Sequence, residues 1–167
     1  FMDNYSADDA TNWTTSNWSQ LRSINYYLDN MRNAVASDAI LDHYEGVGRF
    51  FRALFYIDKV QTFGAVPWYD TSIDATDREA LFKDRDNREF VASKILEDLD
   101  YACTYCLTSD KYRVRASYIH RYVALALKAR FCLYEGTMRK YHAVDPSTGR
   151  AWTKDESRFY LGECVKA

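Results

Sequence analysis

The sequence predicts an all-α fold, and three observations predict it. Turn-forming residues are scarce: Gly is 6 and Pro is 2 of 167 residues, against the usual roughly 7% and 5%, so few reversals separate long elements. Apolar residues recur at steps of three and four along most of the chain, and no segment makes a convincing strand. Helix start and stop signals punctuate those periodic segments.

Residues 1–12 are polar and aperiodic, with Asn4, Asp8, Asp9 and Asn12, and read as loop. The chain thus divides into an N-terminal loop segment, 1–15, and a helical scaffold, 16–167. The first predicted helix spans about 16–36, where Trp18, Leu21, Asn25, Leu28, Arg32 and Val35 form one stripe. Asn25 is the polar member of that stripe and needs hydrogen-bond partners from a neighbouring helix or loop. The second helix, about 42–63, opens on Asp42 with Glu45 at capping-box spacing. It continues through Val47, Phe50, Phe51, Leu54, Phe55, Ile57 and Val60 and stops at Gly64, with Pro67 shortly after.

An irregular polar stretch follows, about 66–84. Asp86 with Glu89 repeats the capping spacing and opens a third helix, about 86–107, carrying Val91, Ile95, Leu99, Ala102 and Cys106. A fourth, about 116–140, carries Ile119, Val123, Leu127 and Leu133. After the Asp145–Gly149 loop, Thr153 and Glu156 form a capping box for a fifth, about 154–167. The periodicity puts Phe50, Phe51, Leu54, Leu99, Leu127 and Leu133 in the core.

Charge narrows the function. Lys plus Arg is 22 and Asp plus Glu is 24, so the chain lacks the basic surface that nucleic acid demands. No apolar run reaches the length of a membrane span. The N-terminus carries no signal-peptide pattern. A chain that opens at Phe1 and stops at Ala167 inside a helical pattern reads as a piece of a longer polypeptide. Cys103 and Cys106 invite a redox or zinc reading. Both share a stripe with Leu96 and Leu99, and His43, His120 and His142 are scattered, so the thiols read as core or interface residues. Glu97, Asp98 and Asp100 splay around one helix instead of converging as a glycosidase's two carboxylates must. No catalytic residue, metal or cofactor is expected. Aromatics beside loops, Trp13, Trp68, Tyr69 and Trp152, are weighed between packing and ligand stacking.

The second helix and its exit carry a resemblance. Gly48-Arg49-Phe50-Phe51-Arg52-Ala53-Leu54-Phe55-Tyr56, followed by Phe63-Gly64-Ala65-Val66-Pro67, resembles the hallmark of the SusD/RagB family, with Ala65 in place of the usual Asp. Three more segments agree in order: Trp18 with Ile24-Asn25 and Leu28; Ile95-Leu96-Glu97-Asp98-Leu99 with Ala102; and Ala124 to Arg130 with Leu133-Tyr134. The resemblance implies the N-terminal part of a larger SusD-like fold, a tetratricopeptide-like scaffold of antiparallel helix pairs, the fourth and fifth helices forming one pair. It implies a surface-exposed outer-membrane lipoprotein of Bacteroidetes, held by an N-terminal lipid anchor that this chain lacks. Such a protein binds an oligosaccharide without catalysis and delivers it to a SusC-like TonB-dependent transporter. A helical-repeat adaptor that binds only protein is the rival reading, and an all-α glycoside hydrolase a remote third. The expected ligand residues are Asn12 and Trp13, ahead of the first scaffold helix, then Trp68 and Tyr69 on the loop after Pro67.

Overall fold

The computed structural model describes residues 13–108, 118–145 and 148–167. It holds five long helices: α1 (Thr15–Asn30), α2 (Asp38–Phe63), α4 (Arg88–Tyr105), α5 (Arg121–Tyr141) and α6 (Lys154–Lys166). A short α3 (Arg78–Leu81), not foreseen in the sequence, sits between α2 and α4 and is capped by Asp77, which accepts from the Ala80 N–H at 3.0 Å. A 3-10 turn, Met31–Asn33, follows α1. Among the described residues the only β pairing is two isolated bridges, Val66 with Asp86 and Val144 with Ala151.

Successive long helices run antiparallel, as their contacts require. Arg52 of α2 meets Asp98 of α4, and Val60 meets Arg88. Arg88 of α4 meets Glu135 of α5, and Asp100 meets Lys128. Lys128 of α5 meets Glu163 of α6, while Gly136 meets Ser157. In each pair one number rises as the other falls. The chain is therefore a meander of antiparallel helix pairs, and α5 with α6 is one of them.

Two N-termini differ from the capping expectation. The α2 helix starts one turn earlier, after Ser37, whose extended backbone ends the preceding turn. Asp42 and Glu45 lie inside the helix and both hold Arg32, from Nη2 and Nε respectively, at 2.7 Å each. The spacing that suggested a cap serves an ion-pair cluster. For α4 the cap is Asn87, which accepts from the Phe90 N–H at 2.8 Å. Asp86 instead accepts from the Trp68 N–H and from Lys83. The Thr153–Glu156 box stands as expected at α6. Gly64 ends α2 with φ +73°, where a side chain would be strained.

The core corrects the rotation of α2 and α5. Phe50 and Leu99 are buried, but Phe51 and Leu54 are each 43% exposed, Leu133 is 51% exposed, and Leu127 is half-buried. The buried face of α2 carries Phe50, Ala53, Tyr56 and Val60, together with Arg52. That of α5 carries Ala124, Lys128, Phe131, Cys132, Glu135 and Arg139. Buried charges explain the shift. Arg88 Nη2 donates to Glu135 at 2.7 Å, Arg139 Nη2 donates to the same carboxylate at 3.1 Å, and Arg139 also meets Glu89. Pairing across helices lets these groups leave water, which none could do alone.

Cys106 is fully buried and Cys103 partly so, and burial pushes both thiols up to about 11. That is far from the thiolate that redox or zinc chemistry uses. Glu97, Asp98 and Asp100 do splay: they pair with Lys94, Arg52 and Lys128 in turn.

Candidate functional site

After Gly64 the chain leaves α2 and returns to pair Asp86 N–H with the Val66 carbonyl at 3.2 Å. That bridge gathers residues 67–85 into one loop, with α3 inside it. The loop lies beside the first turns of α1, and a cavity of about 720 Å³ opens between them.

The loop backbone is held from beneath by buried side chains. Asn25 Nδ2 donates to the carbonyls of Tyr69 and Thr71 at 2.9 and 3.0 Å, the partners its place in the α1 stripe demanded. Arg52 Nη1 donates to the Asp70 carbonyl at 2.8 Å. Its other nitrogens grip both oxygens of Asp98 at 2.7 Å, a bidentate pair. Burial lifts the Asp98 carboxyl above its ordinary value, and the Arg52 guanidinium opposes that rise. The Tyr56 hydroxyl accepts from the Tyr69 N–H at 2.7 Å and donates to the Pro67 carbonyl at 3.2 Å. Asp29 accepts from both the N–H and the hydroxyl of Ser72. Four consecutive residues, 69–72, are thus tied to α1 and α2.

The wall combines aromatic rings with charged groups. Trp13 packs edge-on to Trp18 and Phe63, with centroids 5.0 and 4.8 Å apart, and Trp18 continues edge-on to Tyr69 at 6.1 Å. The Tyr69 hydroxyl donates to the Ala80 carbonyl at 2.9 Å, which fastens the loop to α3. Burial raises the Tyr69 phenol above its ordinary value. Arg22, Lys83 and Arg85 also line it, Arg85 over the Trp13 ring and Lys83 over that of Tyr69, and Asp84 is the one carboxylate on the wall among the described residues. Flat rings beside guanidinium and ammonium donors can stack on and hydrogen-bond a ligand, and among the described residues the wall holds no carboxylate pair of the kind glycoside cleavage uses. Among the described residues no group of three His, Cys, Asp or Glu side chains could hold a metal.

Of the residues singled out in the sequence, Trp13 and Tyr69 line this cavity. Trp68 does not. It is 6% exposed and stacks on Tyr56 at 4.2 Å inside the core. Asn12 lies outside the described residues. Sequence reasoning missed Trp18, Phe82 and Arg85. Trp18 had been assigned to the scaffold stripe, and Arg85 sits in a segment without periodicity, so neither carried a local signal.

No family model and no curated protein matches the sequence. Among solved structures, the chain superposes on a SusD-like protein from Bacteroides fragilis with a TM-score of 0.65 at 19% identity, covering 90% of this chain and 26% of that one. The fold is SusD-like. A laminarin-binding SusD-like protein matches with a TM-score of 0.64 at 18% identity, over 77% of this chain and 27% of that chain. A structure solved with a xylogluco-oligosaccharide matches with a TM-score of 0.56 at 21% identity, over 91% and 29%. The chain therefore spans less than a third of the length of these SusD-like neighbours, and at such identities it is the fold that is shared.

Proposed function

We propose that the chain is the scaffold portion of a cell-surface glycan-binding protein, which holds an oligosaccharide at the cavity beside residues 67–85 without catalysis. The observation that carries this reading is the aromatic wall of Trp13, Trp18 and Tyr69, set on a SusD-like fold. Sugar rings present apolar C–H faces that stack on such rings, while their hydroxyls bond nearby guanidinium and amide groups. Solved neighbours of the same fold support it, one named for laminarin binding and one solved with a xylogluco-oligosaccharide. In this reading the protein sits at the outer-membrane surface and passes its sugar to a SusC-like TonB-dependent transporter.

A glycan screen on the full-length protein, followed by calorimetry on the best binder, tests the reading. Trp13→Ala should weaken binding by about 1 to 3 kcal/mol, by analogy with aromatic stacking on bases. Trp13 is also packed, so Phe63→Ala serves as the control. Phe63 touches Trp13 but does not line the cavity. The reading fails if both variants lose affinity in proportion to their loss of melting temperature. A second reading, the protein-binding adaptor, draws on the row of exposed Tyr44, Phe51 and Leu54 along α2. It would gain from a screen in which no glycan binds.

A further inference from the structure

Resting on the glycan-binding reading, we propose that the sugar taken by this cavity is acidic, carrying a carboxylate or a sulfate ester that Arg85 and Arg22 receive. The wall's charges are not balanced. Lys83 is neutralised by Asp86 at 2.6 Å, outside the cavity lining. Arg22 and Arg85 make no ion pair with a described carboxylate, although Asp74 lies within the field of Arg22. Two guanidinium groups therefore face the cavity against the single carboxylate of Asp84.

Arg85 is also preorganised. Its guanidinium carbon lies 4.9 Å from the centroid of the Trp13 ring, a cation–π contact that holds the group against the indole. Among the described residues its N–H edges make no ion pair and are left to bond. Those edges match the fork geometry of a carboxylate or sulfate. A neutral sugar offers only hydroxyls, which replace water at an N–H with little gain. An anion makes charge-assisted bonds roughly twice as strong as neutral ones.

A glycan array in matched pairs tests this with the full-length protein. Uronate oligosaccharides stand beside their carboxyl-reduced counterparts, and sulfated galactans beside their desulfated ones. The acidic member of the preferred pair should bind about tenfold more tightly than its neutral partner, with the advantage shrinking in about 0.5 M NaCl. Which pair responds distinguishes the uronate from the sulfate. Arg85→Gln, at an exposed position that leaves the melting temperature unchanged, should cut the acidic advantage to about threefold or less. Neutral members binding as tightly as acidic ones would overturn the inference while leaving the glycan-binding reading intact. An acidic preference unaltered by Arg85→Gln would overturn it equally. Silence across the whole array would remove the glycan-binding reading, and this inference with it.

Discussion

Two of the connections between long helices, residues 64–87 and 142–153, share a plan. Each is drawn together by an isolated antiparallel bridge, Val66 with Asp86 in one and Val144 with Ala151 in the other. Each uses a glycine at positive φ, +73° at Gly64 and +70° at Gly149. Each sets a tryptophan beside a guanidinium: Trp68 lies 5.4 Å from Arg52, and Trp152 lies 4.3 Å from Arg139. Each borders a hollow, of about 720 Å³ in the first case and 520 Å³ in the second. What differs is which side chains do the holding. The first loop is tied mainly by Asn25, Arg52 and Tyr56 of α1 and α2, which leaves Arg22 and Arg85 on its cavity wall without an ion pair among the described residues. The second is tied through its own rim, where Arg150 bonds Glu156 and Arg139 meets Glu89. Its hollow offers one aromatic ring, Phe90, and charges already spent on each other. A hollow keeps charge for a ligand when its frame leaves some of the charged groups on its wall unpaired.

The largest expected effect comes from breaking the frame of the first loop. Asp98→Ala leaves the buried Arg52 guanidinium without its carboxylate and should cost about 3 to 5 kcal/mol in urea denaturation. Replacing both partners, with Arg52→Met and Asp98→Leu together, should cost less than either single change, because no uncompensated charge stays buried. An additive double variant would show that the pair does not act as a unit. Next in size is Asn25→Ala, which takes the side-chain donor from the Thr71 carbonyl and leaves the Tyr69 carbonyl only the Tyr56 hydroxyl at 3.5 Å, and it should cost about 1 to 3 kcal/mol. The counterpart on the second loop is Arg150→Ala, which removes an exposed ion pair and should cost less than either. Equal losses in the two variants would erase the distinction between the loops.

How much of this could be read in the sequence follows from the range of each interaction. Local signals worked where the partner is close along the chain: Gly64 ending α2, and Thr153 with Glu156 opening α6. They misled at Asp42 and Glu45, because Arg32, ten and thirteen residues earlier, took both carboxylates. Periodicity gave five helices but not their rotation. On α2 the pairs Phe50–Phe51 and Leu54–Phe55 let two adjacent stripes look equally apolar. On α5 the buried face includes Lys128, Glu135 and Arg139, which a single-helix pattern assigns to solvent. Their partners, Glu163, Arg88 and Glu89, are 35 to 50 residues away on other helices. The need of Asn25 for partners was legible; that those partners belong to the loop forming the cavity was not. Trp13 and Tyr69 were within reach as loop aromatics, whereas Trp68, beside Tyr69, turned inward onto Tyr56.

The smallest expected effect sharpens the comparison from the side of the second loop, through pH. Burial pushes the Glu156 carboxyl up, but hydrogen bonds from Arg150 and from the backbone and hydroxyl of Thr153 outweigh it and hold the group down at about 2. A carboxyl depressed in the folded state contributes stability above its unfolded value, and loses it as pH falls through the folded one. The contribution of Glu156 should therefore be complete above about pH 4.5 and fade toward pH 2. The group is partly exposed, so screening by water should limit it to about 1 kcal/mol or less. Glu156→Gln should lower stability by that amount at pH 7 and make little difference near pH 2, as read from melting temperatures across the range. Thr153→Ala should cost about 1 kcal/mol at neutral pH through loss of the cap. If Glu156→Gln instead costs as much at pH 2 as at pH 7, the carboxylate's charge contributes nothing, and the second loop is held by hydrogen bonding and packing alone.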